Sequence, residues 1–129
     1  MRSIDKSQQT NAQPVVLVVE IDIICRNLTV DLVKIAGCVP IAVNDCYDAI
    51  DVIRERDDIA LVVTDITITD SLDGLSLAHA VRERWPPINI LVVSKMQQPL
   101  PHELPTRALF MAKPFEGHDL VSTVRRLAA

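Results

Sequence analysis

Polar and charged side chains stand directly after several apolar runs in this chain, and their types suit phosphoryl chemistry. Glu20 follows Val15 to Val19, with Asp22 two residues on. Asp65 follows an apolar, β-branched run that begins at Ile59 and ends on Thr64. Ser94 follows Ile88 to Val93, and Lys113 follows Arg107 to Ala112. Carboxylates gathered on one rim repel unless neutralised, so such a rim suits a hard divalent cation, typically Mg2+ with retained waters. A carboxylate beside that cation and a lysine can attack a phosphoryl group, because both positive charges offset charge on the transferring oxygens. A hydroxyl can then hydrogen-bond a phosphoryl oxygen. Taken singly, each residue has a plainer role: a strand-end Asp as a turn former, Ser94 as a cap, Lys113 as a solvated charge. Their joint placement at strand ends is what points to a site.

The elements that position these groups alternate. Val15 to Val19 is an unbroken apolar run, as in a parallel strand covered on both faces. Asp22 to Ala36 carries Ile24, Leu28, Leu32 and Ile35 at helical spacing and stops at Gly37. Val39 to Val43 is a short strand whose Pro40 suits a sheet edge. Asp45 caps a helix running to about Arg56, with Asp48 in its first turn and Ala49, Ile50 and Ile53 inward. Ile59 to Thr64 is the third strand. Turn formers Asp70, Ser71, Asp73 and Gly74 lead into a helix from Gly74 to Trp85, with Leu75, Ala78, Val81 and Trp85 near one stripe. Pro99, Pro101 and Pro105 allow only a short or irregular helix after the fourth strand, Ile88 to Val93. A fifth strand, Arg107 to Ala112, and a helix from Asp119 to Ala128 close the chain. This is an α/β pattern, expected to form a flavodoxin-like, doubly wound, five-stranded parallel sheet in the order 2-1-3-4-5 with helices on both faces. Residues 1–14 read as a flexible lead-in and 15–129 as one domain.

Bulk properties narrow the function classes. The chain has 129 residues, 49% of them hydrophobic, and a net charge of −4, so it is globular and carries no basic stripe for nucleic acid. No apolar run is long enough to span a membrane, and the polar N-terminus is not signal-like. Cys25, Cys38 and Cys46 form no CxxC pattern and suit free thiols in a reducing compartment. A cytoplasmic location is expected.

In order and spacing, VVLVVE at the first strand, LVVTDI at the third, Asp73-Gly74, LVVS at the fourth and KPF at Lys113 resemble the receiver domain of two-component response regulators. The resemblance covers nearly all of Val15 to Leu127. It implies that Asp65 accepts a phosphoryl group from a histidine kinase or phosphotransfer protein, with Mg2+ held by Glu20, Asp65, the Thr67 backbone carbonyl and, as a further candidate, Asp22. It implies that Ser94 is the switch hydroxyl, that Phe110 is the switch aromatic, and that Lys113 pairs with the phosphoryl group and precedes a candidate cis peptide at Pro114. The expected role is a stand-alone signalling receiver, not an enzyme, whose output is a protein partner; homodimerisation is left open. The face built by the fourth helix, fifth strand and last helix is the family's usual interaction surface, where Arg107, Arg125 and Arg126 are candidates.

Several positions depart from the family. The second acid after strand one, which ligates Mg2+ directly, is Ile21 here, so cation affinity is expected to fall. Lys95 stands where a small residue is usual; it reads as a solvated loop charge, with replacement of the missing cation as the alternative. Ile68-Thr69 replaces a usual Met-Pro, and the loop from Asp65 to Asp73-Gly74 is about one residue longer than the commonest receiver form. An alternative follows from Ile21: a pseudo-receiver that keeps the fold and binds partners with little or no phosphorylation. A phosphohydrolase would want a second acid where Thr67 stands. A nucleotide-binding domain would want a glycine-rich loop, and the chain has only 3 glycines.

Overall fold

Valine-rich runs free of charge become the sheet. In the computed structural model, which describes residues 12–67, 73–96 and 98–129, the strands are β1 (Val15–Val19), β2 (Val39–Val43), β3 (Ile59–Asp65), β4 (Asn89–Ser94) and β5 (Leu109–Ala112). The helices are α1 (Ile23–Ile35), α2 (Cys46–Glu55), α3 (Gly74–Arg84) and α4 (Gly117–Leu127). All strand pairs are parallel and the order is β2-β1-β3-β4-β5, as expected.

The alternation of side chains along a strand divides the core in two. Val15, Leu17 and Val19 pack with α2 and α3, while Val16 and Val18 pack with α1 and α4. Every residue of β1 is therefore buried, each valine or leucine contributing about 1.5–3 kcal/mol of apolar burial. β2 lies at the edge, where Pro40 fits. Gly37 ends α1 with φ of +84°, a conformation costly for any side chain. Asp45 caps α2 by accepting the Asp48 N–H at 2.8 Å.

Three expectations are corrected. α1 does not bury the Ile24, Leu28, Ile35 line: these are 77%, 52% and 64% exposed, while Thr29, Leu32 and Val33 face the core. The helix is apolar around much of its circumference, so spacing alone did not choose the phase. β5 begins at Leu109, because Arg107 adopts φ of +66° and cannot continue a strand. The proline-rich crossover after β4 forms a 3-10 turn at Pro101–Glu103, the short helix expected there. α4 starts at Gly117, two residues before the expected Asp119. Residues 1–11 of the expected lead-in lie outside the described residues, as do Ile68, Thr69, Asp70 and Ser71 of the loop after Asp65.

The crossover is fastened to α3. The Glu103 carbonyl lies 2.7 Å from His79 Nε2, and Arg82 donates to the carbonyls of Thr106 (2.6 Å), Pro86 (2.7 Å) and Ile88 (2.9 Å). Leu104 packs against the α2–α3 core. No described helix is long and apolar enough to cross a membrane.

Candidate functional site

Strand register brings the candidate residues to one rim. Val19 pairs with Thr64, Asp65 with Val93, and Ser94 with Ala112, so Glu20, Asp65, Ser94 and Lys113 all fall at the C-terminal edge of the sheet. Glu20, Asp65 and Ser94 are buried. Lys113 is inserted between the two acids. Its ammonium donates to Glu20 Oε1 in a very short contact and to Asp65 Oδ2 at 2.9 Å. The Lys113 N–H also donates to the Ser94 carbonyl at 2.8 Å, which ties β5 to the end of β4, and the Lys113–Pro114 peptide is cis.

The other oxygen of Asp65 belongs to Thr67. Its backbone N–H and its hydroxyl donate to Asp65 Oδ1 at 2.8 and 2.6 Å. The expected part of Thr67 is its backbone carbonyl; the bond from its hydroxyl to Asp65 is additional, beside the turn in which an Asp side chain accepts the backbone N–H two residues on. α3 closes the rim from below. An added Cβ at Gly74 would sit 2.2 Å from the Asp65 carbonyl oxygen, so only glycine permits this approach.

Burial pushes the Asp65 carboxyl up, but the Thr67 hydroxyl and the Lys113 ammonium outweigh it and leave it below its ordinary value. Burial dominates at Glu20, whose carboxyl stays above its ordinary value despite Lys113. Burial works against the Lys113 charge, yet the two carboxylates raise it above its ordinary value. At neutral pH Asp65 is ionised and Lys113 is charged. Replacing Thr67 with valine should raise the Asp65 carboxyl, since a bond to the charged form is lost. A carboxyl-carbon NMR titration reads this directly, and an unmoved titration would remove the hydroxyl from the account.

A cleft of about 210 Å³ opens on the rim, lined by Glu20, Ile21, Asp65, Thr67, Lys95 and Lys113 among others. Its donors fall short of a resident divalent cation. Asp22 Oδ1 is taken by the N–H groups of Ile24 and Cys25 at 2.8 and 3.1 Å, capping α1. Ile21, 59% exposed, has no donor to offer. That leaves, beside the Thr67 backbone carbonyl, two carboxylates, both already on Lys113, and among the described residues no three His, Cys, Asp or Glu side chains converge as a metal site.

Phe110 sits mid-β5, half-buried against the α2–α3 core, paired in register with Val92. Arg107 and Arg125 are exposed and spend guanidinium bonds on the carbonyls of Pro86 (3.3 Å) and Ile35 (3.4 Å). Arg126 is exposed as well. The short helix expected to share their face is the 3-10 turn.

No protein-family model and no curated protein matches the chain. Solved structures do. A response regulator receiver protein from Sinorhizobium medicae superposes with a TM-score of 0.82 at 24% identity, covering 90% of this chain and 94% of that one. The fold is that of receiver domains. Chemotaxis protein CheY4 of Vibrio cholerae gives 0.79 at 20% identity, covering 90% and 99% of the two chains. A response regulator from Thermotoga maritima gives 0.74 at 23% identity, covering 91% and 98%. The receiver fold thus accounts for the placement of Asp65, Ser94 and Lys113 on one rim.

Proposed function

We propose that the chain is a response-regulator receiver, a signalling module rather than an enzyme, that takes a phosphoryl group onto Asp65 from a histidine kinase or phosphotransfer protein. The observation that carries the reading is Lys113 seated between Glu20 and Asp65 on the rim of a receiver fold. In the reaction a carboxylate oxygen of Asp65 attacks phosphorus, the bond from phosphorus to the donor nitrogen breaks, and its electron pair leaves with that nitrogen. Lys113 moves from a carboxylate partner to the charged acyl phosphate, and Ser94 supplies a hydroxyl to a phosphoryl oxygen. Phe110 lies on β5 two residues before Ala112, the register partner of Ser94, where a shifted ring changes what a protein partner meets. Output is read by such a partner, through the face of β5 and α4 or through a second copy of the chain, with no direct nucleic-acid step.

A pseudo-receiver is the second reading, and Ile21 favours it. Phosphoramidate separates the two, because its nitrogen already carries its protons and leaves as ammonia. Incubation with Mg2+, read by intact mass, should add one phosphoryl group to the wild-type chain and none to Asp65→Asn. An unmodified wild-type chain would favour the pseudo-receiver.

A further inference from the structure

The rim's charge is incomplete for phosphoryl transfer. Three oxygens of the transferring group need positive charge around them, usually from a metal ion and a lysine together. Here Lys113 supplies one charge and the donor set for the metal is broken at Ile21 and Asp22. Lys95 lines the same cleft as Asp65 and Lys113. It is exposed, and among the described residues its ammonium makes neither a hydrogen bond nor an ion pair. It follows Ser94 directly, so the strand that presents the hydroxyl also presents the second cation.

We propose that Lys95 takes the place of the divalent cation, binding the phosphoryl oxygens so that Asp65 is phosphorylated without metal. The proposal rests on Asp65 being the phosphoacceptor. An ammonium is a compact point charge on a flexible stem, which suits a group that must meet different donors. Unlike Mg2+, it needs no carboxylate ligands. That makes Ile21 harmless and leaves Asp22 available as the cap of α1.

The test uses the whole chain with phosphoramidate, in excess EDTA and in millimolar Mg2+, and follows labelling by intact mass. Wild type should label at the same rate in both. Lys95→Met should label about a hundredfold more slowly in both, the usual loss when one preorganised positive donor is removed. Lys95→Arg should restore most of the rate. Because Lys95 is exposed, all three should share one thermal midpoint. Calorimetry should find no saturable Mg2+ binding to wild type and a gain of it in Ile21→Asp. Labelling that needs Mg2+, saturable binding by wild type, or a Lys95→Met chain that labels normally in EDTA would each overturn the proposal. No label on wild type under either condition, or undiminished label on Asp65→Asn, would instead overturn Asp65 as acceptor, and this inference with it.

Discussion

Gly74→Ala should destabilise the domain by about 3 kcal/mol and abolish labelling of Asp65, although the change adds one methyl group. The new Cβ would lie 2.2 Å from the Asp65 carbonyl oxygen, 2.7 Å from its carbonyl carbon and 2.9 Å from Ile66 Cα. All three are backbone atoms, so no rotamer change relieves the clash. Either α3 retreats, opening the packing of Leu77, Ala78 and Val81, or the end of β3 moves and takes the Asp65 carboxylate with it. Both routes spoil the geometry around Lys113. Urea unfolding followed by circular dichroism measures the first effect, and phosphoramidate labelling the second. A variant with wild-type stability and labelling would show that α3 can sit further from β3 at no cost.

Lys113→Met should destabilise by about 4 kcal/mol near neutral pH, because it leaves two buried carboxylates facing each other with no cation. The side chains of Lys113, Glu20 and Asp65 are only 9%, 3% and 3% exposed, so water screens them little. The sign of the pH dependence follows from linkage. In the variant both carboxyl groups titrate above their unfolded values, so the folded chain binds more protons than the unfolded one. Its deficit should therefore shrink as pH falls through the carboxylate range, and adding Glu20→Gln should recover much of it at neutral pH. In wild type Lys113 titrates above its ordinary 10.5, so its contribution is complete below that value and is lost only as pH rises beyond it. Urea unfolding at about pH 4 and about pH 7 checks the variant. An equal deficit at both would mean that the loss is one of packing.

The strand ends were legible because burial and charge change sharply there. A buried parallel strand reads as unbroken valine and leucine, and the residue that follows it has to reach the rim. Proline at 40 marked the edge and glycine at 37 marked a helix end, each through one backbone property. α1 was harder. With Ile23, Ile24, Leu28, Val30, Leu32, Val33 and Ile35 on one helix, more than one face is apolar, and tertiary packing settled on Thr29, Leu32 and Val33. Asp22 resisted for a different reason. A carboxylate before a helix serves as a cap or a ligand, and the choice depends on whether Ile24 and Cys25 turn their amides toward it. Leu77, fully buried, fell outside the expected stripe of α3 because a helix seated on a sheet buries a wider arc than four positions. The sharing of Lys113 between Glu20 and Asp65 spans 93 positions in sequence, and no local pattern reports such a distance.

The fastening of the crossover to α3 has a mechanical consequence. A strand-to-strand connection without a helix has few backbone partners of its own, and this one borrows two side chains of α3, His79 and Arg82, as pins. The pins hold Glu103 and Thr106, at the far end of the segment, while the near end starts at Ser94 on the rim. A displacement that began at Ser94 would meet fixed posts at Glu103 and Thr106 before it reached β5, as in a cantilever.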